Sequence, residues 1–221
     1  MMSPSNYAKH LTQQAEDLYA AYLAPNEPDM VLVEEADPRI CVYDSVLAEP
    51  RAYQRAALAS QPQTYVVGNV SWHGLSECAN TKFVEWLANI RPDLAPTLSL
   101  IRQSPLNQVE PNFIHTDRDM GDWTAILYLT ESPEAEDGTD FWRHRWSGAT
   151  DSCSSSSVDS VHEAMAWKDV AQWSHRLHVS AAFNRAVIFP ASCFHSRAIF
   201  ENYGSGETSR LTQVVFCKKK A

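Results

Sequence analysis

Two histidines and one aspartate are the residues whose types and spacing suggest chemistry. His115 and Asp117 are separated by a single residue, Thr116. Residues i and i+2 of an extended strand point to the same side, so both side chains can converge on one point. A third ligand must come from elsewhere, and His195, which follows the β-branched run 186–190, is the best candidate. We therefore predict that His115, Asp117 and His195 are the metal ligands and the catalytic residues.

This ligand set favours iron(II). Two imidazoles and one carboxylate on one face of an octahedral ion leave three positions for a bidentate co-substrate and dioxygen. Zinc accepts the same ligands, but the His-Glu-x-x-His pattern of many zinc hydrolases is absent from the sequence. A His-x-Asp pair also arises often by chance. The residues alone therefore leave two alternatives open: a cupin-like metal hydrolase or isomerase, and a non-catalytic jelly-roll binding module.

The remaining histidines have no partner at ligand spacing in the sequence. We expect surface or hydrogen-bonded roles for five of them, namely His10, His73, His162, His175 and His178. His144 follows a turn near the proposed site, and either a substrate contact or a structural role fits it. The same choice applies to Arg102, which can reach a co-substrate or substrate from its strand or form a salt bridge.

Strands and helices must position these residues. β-Branched and aromatic runs separated by turn residues predict long strands over 97–102, 123–129, 186–190 and 211–216, with shorter ones over 31–33, 40–43 and 65–67. Apolar residues at helical spacing predict helices over 6–23, 51–59 and 81–90. Helices followed by many strands indicate an α+β, mainly β fold.

We expect one domain over residues 1–221. Residues 1–96 would supply helices and flanking strands, and residues 97–217 the core. Residues 147–157 are rich in Ser and cannot pack a core, and residues 158–176 have partly helical character. Residues 144–180 are therefore predicted to form an insertion over one end of the core, as either a lid or a surface loop.

Composition and charge restrict the partners. A net charge of -9 argues against binding nucleic acid, and no stretch has the ~18 apolar residues of a membrane span. The N-terminal residues do not resemble a secretory signal. The five cysteines are odd in number and lack Cys-x-x-Cys spacing, which favours reduced thiols in a cytoplasmic protein. Cys193, close to His195, is expected to be a buried, inert thiol.

An ordered series of motifs follows the His-x-Asp pair. Residues 115–117 are followed by a Gly turn and strand over 121–130, a second turn over 137–141, the distal histidine in 194–196, and an arginine in 210–212. In this order the motifs resemble the iron(II)/2-oxoglutarate-dependent dioxygenases, specifically the prolyl-hydroxylase-like branch. Further stretches resemble a bacterial and phage subgroup of that superfamily, at residues 138–142 and 183–190.

The resemblance implies a double-stranded β-helix, or jelly roll, with helices packed on one sheet. It also implies 2-oxoglutarate as co-substrate, with the distal carboxylate bound by Arg210 and hydroxyl donors at Thr212 and Tyr128. The family usually places the arginine about ten residues after the distal histidine, whereas Arg210 follows His195 by 15. Arg197 is the rival, although two residues from His195 we expect it to crowd the iron.

The implied activity is hydroxylation of a C–H bond with release of succinate and CO2. Ascorbate is expected to serve as reductant in vitro. Halogenases of the superfamily lack the carboxylate ligand, and Asp117 occupies that position, which disfavours halogenation. The substrate class is a small molecule or a peptide, and neither the substrate nor the oligomeric state follows from the sequence.

Overall fold

A computed structural model describes residues 37–67, 70–78, 80–104, 114–152, 170–199 and 209–220. Two helices lie in the N-terminal part of this range, α1 (Pro50–Leu58) and α2 (Lys82–Ile90). Ten strands make up most of the remainder: β1 (Cys41–Tyr43), β2 (Gln63–Val67), β3 (Val70–Glu77), β4 (Leu94–Ser104), β5 (Trp123–Tyr128), β6 (Gly138–His144), β7 (Trp173–Ser180), β8 (Arg185–Pro190), β9 (His195–Arg197) and β10 (Arg210–Lys219). A 3₁₀ turn, Val170–Gln172, leads into β7.

The strands form two antiparallel sheets. The large sheet has the order β1-β8-β5-β10-β4-β3-β2, and the short sheet has the order β7-β6-β9. An isolated bridge between His115 and His195 adds the segment before Asp117 to the free edge of β9. From β5 onwards successive strands alternate between the sheets, except that β6 and β7 both lie in the short sheet. The fold is therefore mainly β and jelly-roll-like.

The central strands β5, β8 and β10 of the large sheet are buried on both faces over most of their length, which explains their apolar sequences. On the outer face, residues of β5 such as Leu127 pack with Phe83 and Leu87 of α2 in one core cluster. On the inner face, Tyr128 packs with Phe141 of the short sheet and with neighbours from β8. Consecutive residues of β5 thus point to the helices and to the space between the sheets. It is this inner space that receives the predicted site residues.

Most predicted elements are confirmed within the described residues. The predicted helices over 51–59 and 81–90 correspond to α1 and α2, and the long predicted strands to β4, β5, β8 and β10. The predicted helix over 6–23 and strand over 31–33 lie outside the described residues. Within the part of the chain that the structure describes, no helix is long and apolar enough to cross a membrane.

The C-terminal end of the predicted insertion over 144–180 forms a strand of the short sheet. Residues 173–180 form β7, which pairs with β6 along its whole length. The strand escaped recognition because the three residues between Trp173 and Leu177 are Ser, His and Arg, which interrupts the apolar alternation. Of the rest of the insertion, His144 ends β6, residues 145–152 form turns and bends beside the short sheet, and residues 153–169 lie outside the described range.

Candidate metal centre

The three predicted ligands converge in the space between the two sheets. The Nε2 atom of His195 lies 3.3 Å from Oδ2 of Asp117, and Nε2 of His115 lies 3.6 Å from Oδ1 of the same carboxylate. Ligand atoms from all three residues lie within 4.8 Å of one another. The structure therefore brings His195 to the His115–Asp117 pair, and metal binding by the three residues stays a prediction.

Backbone hydrogen bonds hold the ligands together. His115 and His195 exchange both N–H···O bonds, each 2.9 Å long, and the Asp117 N–H donates to the carbonyl of Ala191 at 2.7 Å. The short segment before β5 is thereby fixed against the connection from β8 to β9. Two ligands distant in sequence consequently sit directly opposite each other in strand register.

Side-chain bonds then orient two of the ligands. A carbonyl can only accept, so the 3.0 Å contact between Nδ1 of His195 and the Cys193 carbonyl places the proton on Nδ1. Nε2 is then the ring nitrogen that faces Asp117, as in histidine ligands that donate their other N–H to a carbonyl. Thr124 donates its hydroxyl to Oδ2 of Asp117 at 2.9 Å. Thr124 was not among the predicted site residues, because the sequence shows only its place in a strand.

The electrostatics of the centre favour a cation. Burial raises the pKa of Asp117, but the neighbouring His195 and His115 outweigh it and lower that pKa to about 2. Burial lowers the pKa of His195, and the Asp117 carboxylate more than offsets this, so that the pKa is raised. The pocket thus holds an ionised carboxylate that attracts positive charge. Two imidazole nitrogens and one carboxylate at these distances fit a divalent transition metal.

Two of the predicted co-substrate residues lie deeper on the inner face. Thr212 of β10 is paired in register with Tyr128 of β5, so the two side chains are neighbours on one face. The Tyr128 hydroxyl lies 2.6 Å from Oγ1 of Thr139 in the short sheet. Burial raises the pKa of Tyr128, which keeps the phenol protonated and able to donate. Both residues are fully buried.

Arg210 is placed on the inner face, but it is already engaged by a carboxylate. Its Nε lies 2.8 Å and 3.1 Å from the two Asp137 oxygens, and its Nη2 donates to the Gly138 carbonyl at 3.3 Å. Both side chains of the ion pair are buried. A co-substrate carboxylate would therefore have to approach the end of the guanidinium rather than its Nε edge. Asp137 was not among the predicted site residues.

Two further arginines line the same space. Arg197 faces inwards beside His195, is buried, and donates from Nη1 to the Ser104 hydroxyl at 2.9 Å. Two residues along a strand are about 6.6 Å, so the expected crowding of the iron by Arg197 does not follow from its position. Arg102 of β4 lies opposite Thr212 in register. Both stay alternatives to Arg210 as the co-substrate anchor.

Other predictions about single residues can be compared with the structure. His144 is buried, bonded through Nδ1 to the Ser147 hydroxyl at 2.9 Å and packed on the Trp173 ring, which supports its structural role. Cys193 is buried, and burial raises the pKa of its thiol to about 12, as expected for an inert cysteine. His175 and His178 are hydrogen-bonded, as expected, and both contact Oδ1 of Asp140. His10 and His162 lie outside the described residues.

The fold is similar to those of known proteins. The profile of a family of unknown function, DUF6445, matches residues 93–217. No curated protein matches the sequence. The structure of AviO1 from Streptomyces viridochromogenes Tue57 is similar over 82% of this chain and 90% of its own, with 13% identity and a TM-score of 0.51. That of SnoN, a non-haem alpha-ketoglutarate-dependent epimerase from nogalamycin biosynthesis, is similar over 92% of this chain and 82% of its own, with 12% identity and a TM-score of 0.51. At these identities the likeness concerns the fold.

Proposed function

The chain belongs to the DUF6445 family of unknown function, whose profile spans the metal centre, and we propose that it is a non-haem iron(II)- and 2-oxoglutarate-dependent oxygenase. The observation that carries the proposal is the convergence of His115, Asp117 and His195 on the inner face of a jelly-roll-like fold. This ligand set, with open positions on one side, is the one that iron(II) oxygenases use. The shared fold with SnoN, which is dependent on alpha-ketoglutarate, agrees with it.

The three ligands would hold iron(II) through Nε2 of His195, an imidazole nitrogen of His115 and the Asp117 carboxylate. Thr124 and the Cys193 carbonyl keep the carboxylate and the His195 ring in the binding orientation. When bound, the iron would supply activation of dioxygen and decarboxylation of 2-oxoglutarate to succinate and CO2. The protein's own contribution is to orient the reactants and exclude water from the inner space.

The co-substrate would extend from the metal towards Thr212 and Tyr128. Their hydroxyls are suited to donate to its distal carboxylate, and a guanidinium would neutralise that carboxylate bidentately. We assign this role to Arg210, which precedes Thr212 by two residues and so shares its face of β10. Asp137 would hold the guanidinium in place through Nε.

Hydroxylation of a C–H bond is the proposed outcome, on a small molecule or a peptide. Asp117 supplies the carboxylate ligand and thereby fills the position that halide takes in halogenases of this superfamily. The alternation of strands between the two sheets supports a double-stranded β-helix. The order of motifs from His115 to Arg210 supports the prolyl-hydroxylase-like branch.

The test is succinate release by the purified chain with iron(II), 2-oxoglutarate, ascorbate and a substrate panel. We expect succinate release that depends on both iron(II) and 2-oxoglutarate, and a product that gains one oxygen atom by mass spectrometry. Adding chloride should give no chlorinated product. A visible charge-transfer band on anaerobic addition of 2-oxoglutarate to the iron(II) protein would show co-substrate binding even before a substrate is known.

The two alternatives make different predictions for the same preparation. A cupin-like hydrolase or isomerase would act with zinc or manganese and release no succinate. A non-catalytic binding module would bind no iron at stoichiometric concentration. Either result, obtained with a correctly folded chain, would exclude the oxygenase assignment.

A further inference from the structure

A second group of metal-ligating side chains lies on the short sheet, away from the proposed iron site. The Oδ1 atom of Asp140 in β6 lies 3.1 Å from Nε2 of His175 and 2.7 Å from Nδ1 of His178, both in β7. All three ligand atoms lie within 4.8 Å of one another. We call these three side chains the outer triad.

The outer triad faces away from the inner space. Phe141, the residue after Asp140, pairs with His195 and packs in the inner cluster. Because successive residues of a strand point to opposite faces, Asp140 points outwards. In the register between β6 and β9, Asp140 lies opposite Ser196 rather than His195. The two ligand groups are therefore separated by the sheet itself.

A β-bulge brings the two histidines together. Phe141 pairs with Leu177 and Trp142 with His175, so Arg176 is an extra residue in β7. In a regular strand His175 and His178, three residues apart, would point to opposite faces. The extra residue returns His175 to the face of His178, and bulges commonly redirect a side chain in this way. This explains why the sequence spacing gave no sign of a ligand pair.

Neighbouring contacts hold the triad in place. The Trp142 ring packs edge-on against His175, with centroids 5.4 Å apart and an interplanar angle of 89°. The Trp142 indole donates to the Ser196 hydroxyl at 2.8 Å. The side chains of Asp140, His175 and His178 retain 13%, 22% and 29% of their exposed area. The group is thus fixed by packing and yet accessible from solvent.

We propose that the outer triad is a second metal site, which takes zinc or another divalent first-row transition ion. Two imidazoles and one carboxylate are ligands that zinc prefers, with water as the fourth. Bonds of about 2.0–2.2 Å in tetrahedral geometry put ligand atoms about 3.4 Å apart. The observed 3.1 Å and 2.7 Å contacts need to open only by several tenths of an ångström.

The competing explanation is that the outer triad binds no metal and is held together by hydrogen bonds alone. In that case both histidines must donate a proton to the same oxygen, Oδ1 of Asp140. Among the described residues no hydrogen bond reaches Oδ2 of this carboxylate, although it has two oxygens to offer. A metal ion would replace the shared protons and use the carboxylate as a ligand. The ion would then join β6 to β7, independently of any reaction at the inner site.

The experiment counts metal ions bound per chain. The purified full-length chain is stripped with a chelator and titrated with Zn²⁺ in a calorimeter, and bound zinc is measured after desalting. The variant His115→Ala/His195→Ala removes the inner site and leaves the outer triad alone. Adding His175→Gln/His178→Gln to it removes both, and His73→Gln, an exposed histidine in β3, is the matched control.

We expect two equivalents for the wild type and for His73→Gln, one for the inner-site variant, and none for the fourfold variant. Asp140→Asn, which preserves shape, should also lose one equivalent from the wild type. Circular dichroism establishes that each variant is folded. The proposal is overturned if the folded inner-site variant binds no zinc, or if replacing the outer histidines leaves its single equivalent unchanged. Failure of succinate release would bear only on the inner site.

Discussion

The Asp137–Arg210 ion pair allows a test that separates stability from co-substrate binding. The two side chains retain 1% and 6% of their exposed area and lie 2.8 Å apart. Breaking a buried pair by removing one charge leaves the other unpaired and costs about 3–5 kcal/mol. Arg210→Met and Asp137→Asn should each lower the free energy of unfolding by roughly this amount. The double variant, in which neither charge remains, should be more stable than either single variant.

Affinity for 2-oxoglutarate should follow a different order. Charge-assisted hydrogen bonds contribute about 1.5–3 kcal/mol each, and ~1.4 kcal/mol is a factor of ten in affinity. Arg210→Met should therefore weaken 2-oxoglutarate binding by about one to two orders of magnitude or more. The double variant should bind as weakly as Arg210→Met although its stability recovers. Asp137→Asn should largely retain affinity, because Arg210 is intact and the amide oxygen of the asparagine can still accept the hydrogen bond from its Nε.

Urea unfolding followed by circular dichroism gives the stabilities. Anaerobic titration with 2-oxoglutarate at saturating iron(II) gives the affinities. Arg197→Gln serves as the comparison, since that side chain is buried in the same space and bonded to Ser104. If the double variant bound 2-oxoglutarate like the wild type and Arg197→Gln did not, Arg210 would be a structural residue and the anchor would be Arg197.

Three further predictions concern the metal centre and acid stability. His195→Ala should abolish iron-dependent succinate release while leaving the circular dichroism spectrum largely unchanged, and retention of near-full activity would exclude it as a ligand. Thr124→Val removes the hydroxyl bonded to Asp117 and should weaken iron binding about 10–100-fold, as measured by metal titration; an unchanged affinity would show that Asp117 needs no such support. Burial raises the pKa of Asp37, but hydrogen bonds from Arg39 and Arg176 outweigh it and hold that pKa well below its usual 3.8. The depressed pKa adds stability that is present above about pH 4 and is lost as the pH falls further. The melting temperature of Asp37→Asn should therefore depend less on pH between 5 and 3 than that of the wild type. Parallel curves of melting temperature against pH would contradict this.

Local spacing and order along the chain were sufficient to predict much of the inner site. The His115–Asp117 pair follows from the period of a strand, and the apolar runs of β5 and β8 from burial on both faces. His195 was found because it follows a buried strand and completes the ligand set. The observed bridge between His115 and His195 is the long-range contact that this reasoning required.

Features that depend on pairing between strands could not be predicted. The bulge at Arg176 is a property of the β6–β7 register, so the meeting of His175 and His178 had no local signal. Asp137 likewise reaches Arg210 only because the ends of β6 and β10 meet across the sheets. A single sequence shows which residues can be ligands or ion-pair partners. It does not show which partner the folded chain brings to them.

A metal ion bound at the edge of the short sheet would slow the local opening of that edge. The segment at His115 is joined to His195 by a single bridge rather than by a full ladder. Edges of this kind open locally at far lower free energy than the core. Iron bound between the two histidines would keep that edge closed, since opening would require ligand bonds to break. The amide protons of His115 and His195 should then exchange slowly in the loaded protein and rapidly in the stripped one.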